Sequence, residues 1–77
     1  MRVKAFGYAR GDDLAERLLD LCEVTLVASP EVLRRISHHL LEAAAQMERD
    51  PTFGHRHLRD TWPGWSETDV DVIVAQQ

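Results

Sequence analysis

The sequence has few of the residues that form crosslinks or common chemical sites. Cys22 is the only cysteine among 77 residues, so no internal disulfide and no cysteine-rich zinc site is available. No glycine-rich phosphate loop and no G-x-S-x-G run occurs. No apolar stretch has the length of a membrane span, and the N-terminus lacks the apolar core of a signal peptide. We therefore expect a cytoplasmic protein without a membrane partner.

Positive charge is also scarce. Nine Lys and Arg residues stand against thirteen Asp and Glu, which gives a formal net charge of -4 and disfavours nucleic acid as a partner. The length predicts a single domain over residues 1–77. Because a chain of this size buries only about 60% of its unfolded surface, the core should be thin and a deep catalytic cavity is not expected.

The longest periodic segment, residues 29–47, predicts one helix. Ser29 suits the N-cap, Pro30 suits the first helical position, and Asp50-Pro51 should end the helix. At 100° per residue the apolar residues share one stripe: Val32, Ile36, Leu40, Ala43, Ala44 and Met47, with Leu33 at its edge. His39 also lies at the edge of this stripe and is predicted to be a boundary residue.

Two strands are predicted before the helix. Residues 2–8 alternate, and a turn follows at Gly11-Asp12-Asp13. A second strand should start near Leu18 or Leu19, run to Ala28 and pair with the first as a hairpin, although a short helix through Leu14, Leu18 and Leu21 is an alternative. Four alternate residues of this strand are expected to face the helix: Cys22, Val24, Leu26 and Ala28.

Two further strands are predicted after the helix, at residues 55–60 and 70–75. In the first, Leu58 should point into the core while His55, His57 and Arg59 point away from it. In the second, Val70, Val72 and Val74 should belong to the core.

The predicted order, β-β-α-β-β, defines a small α+β domain with an antiparallel sheet and one helix packed on one face. The other face is open to water or to a partner. It carries residues of mixed charge, namely Glu23, Thr25, His55, His57, Arg59, Asp69, Asp71 and Ile73. Their mixture of signs also fits ordinary cross-strand pairing.

The histidine pair is the main candidate for chemistry. His55 and His57 are two residues apart on a strand, so both leave the same face, and Asp69 or Asp71 could add a carboxylate for a metal. Because no further fixed ligand is evident, we assign no metal and no cofactor. No nucleophile, base and orienting group can be combined, so we do not expect an enzyme.

The run Trp62-Pro63-Gly64-Trp65 predicts a type II turn, with Pro and Gly at its central positions. Such a turn brings the two tryptophans close together. They could anchor a partner, since tryptophan is enriched at binding hot spots, or they could close the end of a thin core.

Three segments resemble the immunity protein 32 family of bacterial polymorphic-toxin systems. They are EVTLVASPEVLRRISHHLLEAAAQME (residues 23–48), GHRHLRDTWPGW (54–65) and DVDVIVAQ (69–76), and with MRVKAFGY at the start they cover nearly the whole chain. The H-x-H-L-R-D-x-W-P-x-W run is the most specific part, whereas Phe53-Gly54 departs from the more acidic run expected there. The resemblance implies a small cytoplasmic antidote that binds and blocks a toxin domain, and it implies no catalytic residue or cofactor.

The sequence therefore predicts an immunity protein that neutralises a cognate toxin domain by direct contact. The predicted partner-binding residues are His55, His57, Arg59, Trp62, Trp65, Asp69 and Asp71. The alternative is a small metal-binding or self-associating module without catalytic activity, and a homodimer is compatible with either interpretation.

Overall fold

The structure of the protein, a computed structural model, describes residues 1–11 and 17–76. Most of the predicted Gly11-Asp12-Asp13 turn, and Leu14 of the alternative helix, lie outside the described residues. The elements are β1 (Ala5–Gly7), β2 (Leu19–Leu21), α1 (Pro30–Arg49), β3 (His55–His57), a 3₁₀ helix (Leu58–Thr61) and β4 (Ile73–Ala75). This order confirms the predicted β-β-α-β-β arrangement and the α+β class. Within the described residues, no helix is both long and apolar enough to cross a membrane.

The strands pair as two separate antiparallel sheets of two strands each, instead of one continuous sheet. β1 pairs with β2, with Phe6 opposite Asp20, which confirms the predicted hairpin and its start at Leu19. β3 pairs with β4, with Arg56 opposite Val74. Each ladder spans only three residues, so neither sheet is wide enough to cover α1 alone.

Residues 22–28 do not form the predicted continuation of β2. They have no ladder partner among the described residues, and all four side chains expected to face the helix, Cys22, Val24, Leu26 and Ala28, are exposed. That expectation was wrong because the C-terminal half of the chain contacts α1 instead. Val72 accepts a hydrogen bond from His39, and Arg56 reaches Glu42.

Helix α1 has the predicted ends. The Ser29 hydroxyl accepts a hydrogen bond from the Val32 N–H at 3.3 Å, and Pro30 occupies the first helical position. At the other end, the Asp50 N–H donates to the Gln46 carbonyl at 2.9 Å. The Asp50 carboxylate accepts from the Thr52 hydroxyl and N–H, and these hydrogen bonds lower the pKa of Asp50.

The core is small and is displaced around the helix from its predicted position. Its buried apolar residues are Ile36, Ala43, Phe53 and Leu58, and His39 is buried among them at 3% exposure. The inward position of Leu58 is confirmed, whereas the prediction that His39 is a boundary residue was wrong. Leu40, predicted to lie in the core, is 47% exposed. The covered face of α1 is therefore centred between Ile36 and His39, and part of the predicted stripe is uncovered.

Both strands that follow the helix are shorter than predicted. The segment 55–60 is strand only to His57, since the chain turns into the 3₁₀ helix at Leu58. Val70 is 66% exposed and so does not join the core, while Val72 and Val74 are half-buried. Val72 contacts the buried residues through its backbone carbonyl, which accepts hydrogen bonds from the His39 ring and from the Leu58 N–H.

Candidate partner-binding surface

The two tryptophans flank a tight turn. The Trp65 N–H donates to the Trp62 carbonyl at 3.2 Å, and Gly64 has a φ of 81°, as the third position of a type II turn requires. Both indoles are half-buried. Trp65 Nε1 donates to the Val70 carbonyl at 3.4 Å, so this ring also holds the following loop.

Asp69 stabilises its own loop. Its carboxylate accepts from the Ser66 N–H at 2.9 Å, and its N–H donates to the Ser66 carbonyl at 2.9 Å. The neighbouring Thr68 carbonyl accepts from the Arg10 guanidinium at 2.7 Å. Asp69 therefore shapes the loop after the tryptophan turn, and its carboxylate is already occupied.

Asp71 forms the most connected polar cluster, which we call the Asp71 cluster (His57, Arg59 and Asp71). His57 Nδ1 donates to Asp71 Oδ2 at 2.6 Å, and the Arg59 N–H donates to Oδ1 at 3.1 Å. The Arg59 Nε lies 3.7 Å from Oδ2. Partial burial alone would raise the pKa of Asp71, but these hydrogen bonds and positive charges outweigh it and lower that pKa.

His55 adds an exposed ring to this cluster. Its centroid lies 5.0 Å from that of His57, with the rings at 73° to each other. The His57 ring is hydrogen-bonded to Asp71, and the Asp69 carboxylate is hydrogen-bonded to Ser66 in the loop after the tryptophan turn. In the described residues 1–11 and 17–76, no three His, Cys, Asp or Glu side chains converge so as to hold a metal ion.

A groove of about 520 Å³ lies between the polar flank of α1 and the segment that contains the 3₁₀ helix and Trp62. We call it the Trp62 groove. Five of its lining side chains are charged, namely Glu31, Arg34, Arg35, Glu42 and Arg56, and the rings of His38 and His39 also line it. The groove is therefore polar and two-signed around a single large aromatic ring.

Two sets of contacts organise the Trp62 groove. The Arg35 guanidinium lies 5.5 Å from the centroid of the Trp62 ring, which is the geometry of a cation–π contact. Glu42 bridges Arg56 at 3.0 Å and His38 at 2.9 Å. The hydrogen bond from Arg56 and then the charge of His38 lower the pKa of Glu42. These contacts connect α1 to β3 and to the tryptophan turn.

The seven predicted partner-binding residues are only partly brought together. His55, His57, Arg59 and Asp71 form one group through the Asp71 cluster. Trp62 lies in the groove against α1, and Trp65 and Asp69 belong to the loop between that turn and β4.

Sequence reasoning missed the contributions of Arg35, Arg56 and the polar flank of α1. A usable signal was present, because Arg56 alternates with His55 and His57 and so leaves β3 on the opposite side. The same alternation places Arg56 towards α1, where it meets Glu42 and Gln46.

Comparison with known proteins identifies a protein family. Neither the curated proteins nor the solved structures include a match to the chain. Among protein families, immunity protein 32 matches residues 23–77, a region that contains α1, β3, the tryptophan turn and β4. β1 and β2 lie outside the matched region. The match covers more than half of the chain and agrees with the resemblance seen in the sequence, so the chain belongs to the immunity protein 32 family.

Proposed function

We propose that this protein is a cytoplasmic, non-catalytic immunity protein that neutralises a cognate toxin domain by direct contact. Membership of the immunity protein 32 family carries the proposal, because it implies a toxin as partner. Neutralisation by contact requires a stable scaffold that presents a complementary surface. The net charge of -4 suits a toxin with a basic surface, such as the substrate cleft of a nuclease.

The proposed contact surface is the predicted set His55, His57, Arg59, Trp62, Trp65, Asp69 and Asp71, extended by the Trp62 groove. Trp62 and Arg35 are the central pair, since tryptophan and arginine are the residue types most enriched among binding hot spots. Trp62 is half-buried, so part of the ring is supported by Arg35 while part remains available to a partner. A supported ring loses little conformational entropy on binding, which favours affinity.

The members of this surface would have two different roles. His55 and Arg59 are exposed and could contact the toxin directly. His57, Asp69 and Asp71 already use their side chains within the protein, so we expect them to position the surface. Substitution of a positioning residue should then reduce stability as well as affinity, whereas loss of an exposed contact residue should reduce affinity alone.

The first experiment identifies the partner. The tagged protein is used as bait in a lysate of its own organism, and the retained proteins are identified by mass spectrometry. We expect one toxin domain at stoichiometric level, whose toxicity in cells is suppressed when this protein is co-expressed. A bait that retains no toxin domain from toxin-producing cells would contradict the proposal.

The second experiment tests the surface with the toxin domain thus identified. We expect Trp62→Ala to raise the Kd about 30-fold or more, as loss of a hot-spot residue does. Tyr8→Ala is the matched control, because Tyr8 is an exposed aromatic residue outside the family match and should leave the Kd unchanged. An unchanged Kd for a folded Trp62→Ala variant would place the contact surface elsewhere.

A further inference from the structure

One flank of α1 is apolar and is not covered by any other described part of the chain. We call it the leucine flank, and it consists of Leu33, Leu40, Leu41 and Ala44. Leu33 is 40% exposed, Leu40 is 47% exposed and Leu41 is 71% exposed. At 100° per residue this flank lies on the opposite side of the covered face from the Trp62 groove. One helix therefore borders two different surfaces, an apolar one and a charged one.

The segment before α1, residues 23–28, is also rich in apolar side chains, and it pairs with no other strand among residues 1–11 and 17–76. Val24 is 56% exposed, Leu26 is 48% exposed and Val27 is 94% exposed. In the described part of the chain, no backbone hydrogen bond joins this segment to another. Its β-branched, alternating sequence is typical of a strand, and an unpaired strand is a template for pairing with another chain. It connects directly to the helix that carries the leucine flank.

The exposed area is larger than that of a compact monomer. The accessible surface is 6779 Å², whereas a monomer of 8.8 kDa is expected to expose about 4,800 Å². The radius of gyration is 13.5 Å, compared with roughly 11.5 Å for a compact domain of this length. The excess of about 2,000 Å² is distributed over the whole chain, and an interface of standard size, which buries roughly 800 Å² per partner, would account for less than half of it.

We propose that a second copy of this chain covers the leucine flank and pairs with residues 23–28, so that the protein is a homodimer. Together with Ser37 and Met47, three residues of the leucine flank, Leu33, Leu40 and Ala44, form a repeat with the three-and-four spacing of a helix–helix seam. In an antiparallel pair of helices its centre, Leu40, meets the Leu40 of the other copy. Leu33 then meets Met47, so the flank is complementary to itself, as a two-fold interface requires.

The chemistry of the two surfaces favours a second copy, and not the toxin, on the leucine flank. Homodimer interfaces are more apolar than the average surface, whereas interfaces between proteins that also exist apart are about as polar as the rest of the surface. The leucine flank is apolar, as homodimer interfaces are, whereas the Trp62 groove is polar, as interfaces with a separate partner are. Because Leu33, Leu40 and Ala44 lie on the opposite side of the covered face from Arg35 and Trp62, a dimer formed through them leaves the Trp62 ring free, and the inference does not depend on the proposed toxin.

The test measures the mass of the intact protein in solution by light scattering and sedimentation. We expect about twice 8.8 kDa for the wild type. Leu40→Glu should shift the mass to that of one chain, because the dimer would then bury two negative charges that face and repel each other. Ala45→Glu is the matched control, with the same new charge on the exposed side of the same helix, and it should remain dimeric.

Hydrogen exchange of the wild type keeps the test decisive if Leu40→Glu fails to fold. In the dimer, amides of residues 23–28 should be protected, and dilution should reduce that protection together with the mass. A wild type with the mass of one chain at all concentrations, with free exchange at these amides, would overturn the proposal. Protection that arises only after addition of the co-purified toxin domain would also overturn it and assign the flank to the toxin. A monomeric Leu40→Glu variant that still binds the toxin would support both proposals separately.

Discussion

Truncation of His39 should destabilise the protein far more than truncation of the adjacent His38. The His39 ring is 3% exposed, and its Nε2 donates to the Val72 carbonyl at 2.9 Å. His39→Ala removes a hydrogen bond of about 1 kcal/mol and leaves a void in the core. Among the described residues its buried Nδ1 has no hydrogen-bond partner, and removal of this unfavourable group keeps the expected loss of stability at the lower end of the range for core truncations. We expect a loss of about 2–3 kcal/mol, against a total near 4–12 kcal/mol for a chain of this length.

His38→Ala is the matched control, because the His38 side chain is 74% exposed and is paired with the exposed Glu42. The measurement is urea unfolding followed by far-ultraviolet circular dichroism, with thermal unfolding in parallel. His39→Ala should lower Tm by roughly 10–20 °C, whereas His38→Ala should leave Tm close to that of the wild type. Equal Tm values for the two variants would refute the conclusion that His39 belongs to the core.

Three further predictions concern other parts of the molecule. Since the pKa of Asp71 is lowered in the folded protein, its contribution to stability should be present above its usual pKa, near 3.8, and be lost as the pH falls through the lower folded value. The free energy of unfolding of the Asp71→Asn variant, measured by urea titration from pH 6 to pH 2, should therefore fall less steeply below about pH 4 than that of the wild type. Gly64→Ala should cost about 1–2 kcal/mol because Gly64 has a φ of 81°, whereas Gly54→Ala, with open space around it, should be neutral in the same assay; equal costs would contradict this reading of the turn. Ser29→Ala should cost about 1 kcal/mol of unfolding free energy through loss of the N-cap, and Ser29→Asn should restore most of it.

The features that local sequence determines were the predictable ones. The ends of α1 followed from Ser29, Pro30 and Asp50, whose effects act within one turn of the helix. The type II turn followed from Pro63-Gly64, because these residues satisfy its dihedral angles with little help from the rest of the chain. The hairpin of β1 and β2 followed from alternation and chain proximity.

The features that depend on contacts between distant segments were not predictable in the same way. Periodicity finds the apolar stripe of α1 but does not determine which half of it is covered. That choice depends on the Val72 carbonyl, 33 residues from His39 in the sequence. Residues 22–28 have the composition of a strand, but a strand also needs a partner, and composition does not supply one.

Five of the predicted binding residues were expected to share one sheet face with each other, namely His55, His57, Arg59, Asp69 and Asp71, while Trp62 and Trp65 were expected in a turn whose position relative to the helix was not predicted. The 3₁₀ helix at Leu58–Thr61 redirects the chain after β3, which takes Trp62 to the side of α1. Asp71 was predicted as a surface contact, but its carboxylate meets the side chain of His57 and the backbone of Arg59. Which of the predicted residues are exposed and which are hydrogen-bonded within the protein could not be predicted, because this depends on contacts between distant segments.

The Val72 carbonyl accepts hydrogen bonds from both the Leu58 N–H and the His39 ring, at 3.0 Å and 2.9 Å. One oxygen atom thus joins the helix, the 3₁₀ turn and the segment that enters β4. Movement of the Val72 segment would break both bonds, and movement of the helix or of the 3₁₀ turn away from it would break one, so we expect the three to open as one cooperative unit. The segment that carries Trp62 is consequently ordered before any partner arrives. Its conformational entropy is lost on folding and not on association, which leaves more of the contact free energy for affinity.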